Sequence, residues 1–201
     1  MEDILKIDEK YLGDKRKDYL PLEATFMATA IVWAGRSKDP STQVGACYVN
    51  EKGRIISVGY NGSPNKWDDD VFPWGKDISN GEKNTKYPYV IHAEMNGILN
   101  YDGSSSDFEN SVCYVTLFPC SNCAKFLVQR GVKKIVYLCD KYKNKEDNIE
   151  AKILLKACNV EYVKYSELHN DVLGLDLSLE EKKAEDPIKI KRITYKNNEE
   201  K

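Results

Sequence analysis

The sequence predicts an α/β fold of three layers, α/β/α, with helices on both faces of a mixed, mostly parallel five-stranded sheet. Three observations carry this. A chain of 201 residues, 41% hydrophobic and 31% charged, suffices for one compact domain that buries roughly 70% of the surface its unfolded form exposes. Five short runs rich in β-branched and aromatic residues punctuate it, and the later ones alternate with stretches of helical periodicity. Strands joined through helices in one sheet connect by right-handed crossovers, which makes them parallel and leaves the helices on the faces.

The first element is a helix over Leu22 to Arg36, where apolar residues recur at Leu22, Phe26, Ala30 and Trp33, with Met27, Ile31 and Ala34 beside them. Val44 to Val49 and Ile55 to Tyr60 follow as two strands, and Asn50, Glu51, Lys52 and Gly53 between them signal a hairpin. Asn61 to Ile91 is a long polar excursion with three prolines and the aromatics Trp67, Trp74, Tyr87 and Tyr89, a length that marks a functional loop. Helices are expected near His92 to Asn100, Cys120 to Arg130 and Asp147 to Ala157. Strands are expected over Val112 to Leu117, Ile135 to Leu138 and Val160 to Val163. Gly131 stands where a helix C-terminus wants a left-handed residue. The organisation expected is a charged segment over 1–20, a catalytic domain over 21–170 and a charged tail over 171–201, with one short ordered piece around Ile188 to Tyr195.

Met1 to Lys17 is thick with charge and lacks the apolar core of a secretory signal, and no uncharged stretch reaches the roughly 18 residues of a membrane span. The expectation is a cytoplasmic protein with no membrane partner. With 30 basic against 32 acidic residues there is no global positive field to gather a nucleic-acid backbone, so no nucleic-acid partner is expected. Six cysteines in a reducing compartment argue for metal ligands, a reactive thiol or buried filler before disulfides.

Spacing separates those uses. His92 opens a predicted helix in His92-Ala93-Glu94, and Pro119-Cys120-Ser121-Asn122-Cys123 lies where a strand gives way to a helix. Cysteines three apart at a helix start share a face, and the free amides and positive dipole end there favour thiolates. One imidazole and two thiolates suit tetrahedral zinc, and three protein ligands leave the fourth position to water, which marks a catalytic site. Glu94, two residues after His92, is placed to reach that water without binding the metal. Zinc brings the water's pKa near 7, so the carboxylate can take a proton and hand protons to a substrate. The chemistry required is hydrolytic attack on an electrophilic carbon. His169 and the other cysteines stand at no finger-like spacing from the pair. Cys47, Cys113, Cys139 and Cys158 read as apolar filler, and His169 as a solvent-facing residue near the end of the domain.

The combination H-x-E followed by P-C-x-x-C is the signature of zinc nucleobase deaminases. Four longer blocks extend the likeness: Arg36 to Ala46 (RSKDPSTQVGA), Gly59 to Asn65 (GYNGSPN), Thr85 to Asn96 (TKYPYVIHAEMN) and Tyr114 to Cys120 (YVTLFPC). On these blocks, in order over roughly Leu22 to Val163, the chain resembles the deoxycytidylate deaminases of the zinc-dependent cytidine and deoxycytidylate deaminase family.

The resemblance implies the cytidine deaminase-like fold and one catalytic Zn2+ held by His92, Cys120 and Cys123. It implies hydrolysis of dCMP to dUMP and ammonia, supplying dUMP for thymidylate synthesis. Glu94 would protonate ring N3 as the activated water attacks C4, then help ammonia leave. By the same likeness Asn61 would meet the sugar hydroxyl, the Ala93 backbone the base edge, and Tyr142 the pyrimidine. A homo-oligomer is implied, hexameric in relatives, activated by dCTP with Mg2+ and inhibited by dTTP, with Arg36, Lys38 and Asp39 as candidate effector contacts.

Asn61 between Tyr60 and Gly62 also suits a tight turn, the charges at 36–39 also suit a solvated helix end, and Tyr142 also suits a surface aromatic on a basic loop. Two departures stand out. Where some phage relatives carry extra cysteines and histidines for a second zinc, this chain has Trp67, Asp68, Asp69 and Asp70. Where some carry an arginine soon after the HAE helix it has Gly103, so the substrate phosphate lacks an assigned contact. A polynucleotide deaminase and a free cytidine deaminase share the zinc chemistry, and dependence on the 5′-phosphate separates the latter from a dCMP enzyme.

Overall fold

Burial along the central strand shows how the layers form. The structure is a computed structural model that describes residues 13–15 and 19–169. In β1 (Gly45–Val49) every residue is buried: Ala46 and Tyr48 enter the apolar cluster on one face of the sheet, and Cys47 and Val49 the cluster on the other. Successive side chains of a strand point to opposite faces, so a strand covered on both sides reads as a continuous apolar run. The same division recurs in β3 (Val112–Leu117), where Cys113 and Val115 face one cluster and Tyr114 the other, and in β4 (Lys134–Cys139), with Ile135 and Val136.

With β2 (Ile55–Tyr60) and β5 (Glu161–Lys164) these strands form one sheet in the order β2-β1-β3-β4-β5. β1 is antiparallel to both β2 and β3, while β3, β4 and β5 pair in parallel. Four strands therefore run one way and β1 alone runs against them. The sequence pointed to one antiparallel hairpin; the second antiparallel pairing arises because β3 docks on the far side of β1 instead of beside β2.

α1 (Leu22–Ala34) and α5 (Tyr165–Leu168) cover one face, and α2 (Ala93–Leu99), α3 (Ser121–Gln129) and α4 (Glu146–Ala157) the other. Boundaries of the long elements fall within two residues of those expected. The seated face of α1 differs. Of the stripe the sequence suggested, Phe26 and Ala30 are buried but Leu22 and Trp33 are exposed, while Met27 and Ala34 from beside it are buried. The helix is apolar nearly all round, so its periodicity selects no face. Contact selects it instead, because Gly45 lets the backbone of Ala30 and Ala34 approach β1 directly. Gly131 has φ +78 directly after the last turn of α3, the left-handed position its sequence context called for.

Two minor expectations are corrected. His169 is not solvent-facing: its Nε2 lies 2.7 Å from Glu23 Oε2 and its ring stacks on Tyr165, tying the end of α5 to the start of α1. Of the cysteines read as filler, Cys47 and Cys113 are buried, Cys139 is half-buried and Cys158 is exposed at the end of α4. The tail over 171–201, Ile188 to Tyr195 included, lies outside the described residues. Among the described residues no helix is long and apolar enough to cross a membrane.

Candidate active site

The long loop after β2 is closed at its base. The Gly62 amide donates to Ile91 O at 3.0 Å and the Ile91 amide to Gly62 O at 2.9 Å, so Asn61 and His92, thirty-one positions apart in sequence, emerge side by side. α2 begins at once. It lies unusually close to β2, because a β-carbon at Gly59 would run into the Ala93 carbonyl oxygen and the Gly97 amide. Asn96 donates to Tyr60 O at 2.7 Å, and the Tyr48 hydroxyl donates to Glu94 O at 2.6 Å. Sheet and helix thus share hydrogen bonds that fix the first turn of α2, where His92 and Glu94 sit.

His92 occupies the N-cap position of α2 and Cys120 that of α3. The Nδ1 atom of His92 is 3.4 Å from Cys120 Sγ and 3.5 Å from Cys123 Sγ, and Cys120 Sγ accepts from the Cys123 amide at 3.5 Å. A tetrahedral zinc with Zn–S near 2.3 Å and Zn–N near 2.05 Å places nitrogen and sulfur roughly 3.6 Å apart. The observed separations match that edge, and all three donor atoms lie within 4.8 Å of one another, so the residues fit a tetrahedral metal with one position left over. Among the described residues this is the one His/Cys/acid group of that kind, and the Asp68 to Asp70 run forms no second. Asp69 instead pairs with Lys38 and accepts from Ser63 at 2.6 Å, and its backbone oxygen accepts from Trp74 Nε1 at 2.9 Å.

Without a metal the charge at the triad is divided: Cys120 is biased toward its ligating thiolate, while His92 and Cys123 hold protons that a metal would displace. Hydrogen bonding from Cys123, then the neighbouring imidazole, brings the Cys120 thiol down to about 4. Its contact with Cys120 and the negative charge of Glu94 raise His92 to about 9. Cys123 is pushed up, first by sharing its proton with Cys120 and then by burial. Glu94 is only 4% exposed, and burial raises its carboxyl to about 7.

A cavity of about 480 Å³ opens over these groups, within the range that holds one small ligand. His92, Ala93, Glu94 and Cys120 form one end, Phe118 and Val90 part of the wall, and Asn61 and Tyr142 also line it. Cys123 sits behind, fully buried. Of the candidate effector residues, Asp39 lines the cavity, while Arg36 and Lys38 lie outside it and are exposed.

Asp39 is part of a buried polar lattice the sequence did not disclose. Lys86 Nζ reaches both its oxygens, at 2.7 and 2.5 Å, and the amide of Ser41 donates to it at 2.8 Å. Asn61 gives one amide hydrogen to Asp39 Oδ2 at 3.2 Å and the other to Thr42 O at 3.0 Å, while its Oδ1 accepts from the Val44 amide at 2.8 Å. What Asn61 can still offer a ligand is the second lone pair of Oδ1. Sequence reading also missed Lys76, Lys141 and Lys145, which line the same cavity from two separate loops. The only signal for Lys141 and Lys145 was the basic character of Asp140 to Lys145, shared by any solvated loop, and Lys76 had none beyond its place in the long excursion.

Residues 22–139 match the family model described as the cytidine and deoxycytidylate deaminase zinc-binding region. The chain is 44% identical over 159 residues to a protein named deoxycytidylate deaminase from Mus musculus, an alignment covering 79% of this chain and 88% of the relative. To the deoxycytidylate deaminase of Homo sapiens it is 45% identical over 151 residues, 75% of this chain and 83% of the relative. Among solved structures, the dCMP deaminase of cyanophage S-TIM5 in complex with dCMP and dUMP aligns with a TM-score of 0.55 at 27% identity, over 71% of this chain and 96% of that one. A metal-ready His/Cys/Cys triad beside a buried carboxylate, on this fold and with this similarity, makes the chain a deaminase enzyme that belongs to the cytidine and deoxycytidylate deaminase family.

Proposed function

We propose that this protein hydrolyses dCMP to dUMP and ammonia, using one zinc ion held by His92, Cys120 and Cys123. The observation that carries the reading is a single cavity, sized for a mononucleotide, lined together by the metal triad, the buried carboxylate of Glu94 and Asn61. Bound zinc supplies an acidified water with a pKa near 7. The remaining work belongs to the chain's own residues.

Glu94 sits inside the cavity where a carboxylate can accept one proton of the attacking water and deliver it to N3 of the ring. The water oxygen bonds to C4, which becomes tetrahedral. Glu94 then carries the second proton to the exocyclic nitrogen, the C4–N bond breaks and ammonia departs. Of the water's two protons one remains on N3 of dUMP and the other leaves with ammonia. The backbone of Ala93, at the same end of the cavity, faces the base edge, Asn61 receives a sugar hydroxyl on Oδ1, and Tyr142 closes against the pyrimidine.

Homo-oligomeric assembly with dCTP activation, dTTP inhibition and a magnesium-bound effector belongs to the same proposal. Its support is the likeness to deoxycytidylate deaminases and the exposed cations Arg36 and Lys38. Domain limits of 21–170 and a cytoplasmic setting are proposed with it. Ammonia release by the zinc-loaded protein from dCMP, deoxycytidine and CMP, each with and without dCTP and magnesium, tests the reaction, the substrate class and the dCTP response. Turnover confined largely to dCMP is expected. No turnover of any of the three would refute it.

A further inference from the structure

The cavity holds more positive charge than the protein around it neutralises. Lys76, Lys86, Lys141 and Lys145 line it, together with the acids Asp39, Glu94 and Asp147. Lys86 is spent on Asp39. Asp147 accepts from the amide of Ser121 at 3.2 Å and from its hydroxyl, and Glu94 belongs to the metal end. Among the described residues none of the ion pairs involves Lys76, Lys141 or Lys145. Lys141 Nζ donates to Thr42 Oγ1 at 2.9 Å and stands 4.9 Å from the centroid of the Tyr142 ring, with Lys145 Nζ 4.5 Å from the same centroid. The Thr42 hydroxyl and the Tyr142 ring anchor these ammonium groups, and among the described residues neither forms an ion pair with a carboxylate. Such an arrangement gains most from an incoming anion, and lysine ammonium groups bind phosphate as compact point charges.

Resting on the dCMP reading above, we infer that Lys141 and Lys145, placed by Tyr142 and Thr42, grip the 5′-phosphate and make the enzyme specific for nucleotides over nucleosides. The cavity then has two ends: a metal end that takes the base, and a lysine end that takes the phosphate. Tyr142 is common to both, since the ring that faces the pyrimidine also seats the cations. This supplies the phosphate contact that Gly103 leaves open, from a different loop and with a different residue type.

The test is the ratio of kcat/KM for dCMP to that for deoxycytidine in the zinc-loaded full chain. In the double variant Lys141→Ala/Lys145→Ala the ratio is expected to fall at least about tenfold, through KM for dCMP, because charge-assisted phosphate contacts are lost. The arginine pair Lys141→Arg/Lys145→Arg keeps the charge and is expected to restore most of the ratio. Lys143→Ala, in the same loop but outside the cavity lining, is expected to leave it unchanged. Inorganic phosphate is expected to compete with dCMP in the wild type. Both lysines are exposed, so the variants should melt at the wild-type temperature. If the wild type prefers dCMP and the alanine pair keeps that preference, the inference alone falls. If the wild type shows no such preference, the dCMP reading falls with it. Faster deamination of a dC-containing oligonucleotide than of dCMP would overturn the inference by assigning the cations to a polynucleotide backbone.

Discussion

Glu94 and its neighbours do different work at almost the same place. His92, two residues away, offers Nδ1 to a metal, while Glu94 is buried in the cavity with its backbone oxygen held by Tyr48. Replacing the carboxyl by an amide of the same shape removes the proton carrier and leaves the ligands in place. Glu94→Gln is therefore expected to bind zinc stoichiometrically, measured by elemental analysis, while kcat falls by about 10²–10⁴-fold. Retained turnover would show that another group moves the proton. These residues were legible in the sequence because each sits within a short motif at the start of a helix, where local geometry alone fixes its direction. The lysine grip was not, because Lys141 and Lys145 gain meaning only beside Thr42, about a hundred positions earlier. Nor was the pairing of Asp39 with Lys86, since each stood in its own family-like block and nothing local links them.

At the level of elements, helix existence followed from apolar spacing and helix seating did not. α1 shows the limit, having too many apolar faces for periodicity to choose among them. α2 shows what does choose: the missing side chain at Gly59 sets how near the metal-bearing helix lies to the sheet. Gly59→Ala places a methyl group against backbone atoms that have no flexible end to yield. It is expected to cost about 1–3 kcal/mol, a fall of several degrees in Tm by calorimetry, and to lower activity as well, because α2 must move and carries His92 and Glu94 with it. A stability loss with full activity would mean that the helix shifts without its first turn. The second antiparallel pairing of β1 was illegible for a related reason: strand order depends on which neighbour docks, and sequence spacing reports only which strands are consecutive.

For the molecule as a whole, a metal held by the triad would join pieces that the chain brings from far apart. His92 follows the long loop, and Cys120 and Cys123 follow β3, so an ion at this point crosslinks α2 to α3 across the sheet face. Chelation is expected to abolish activity and to lower Tm by roughly ten degrees, in line with about 4 kcal/mol of linkage when free zinc exceeds its Kd about a thousandfold. Restoring both by added zinc would complete the test. An unchanged Tm would show that the three donors are held equally well without it. Layer order and the count of strands were legible from the alternation of runs, because burial on both faces leaves an apolar signature that a solvated strand lacks.

The pair of hydrogen bonds between Gly62 and Ile91 has a consequence for how the chain can change. A loop whose two ends are already fastened has little further entropy to lose as it grows, about 0.6 kcal/mol for each doubling of length. Gly81, between two short turns and with φ +92, is with Gly75 a position in that loop where even a β-carbon would meet no neighbour, which makes it a site for added length. Length at Gly81 is close to a free parameter of the protein: residues can be gained there while Asn61 and His92 stay where the knot, and the Lys86–Asp39 pair beside it, have put them.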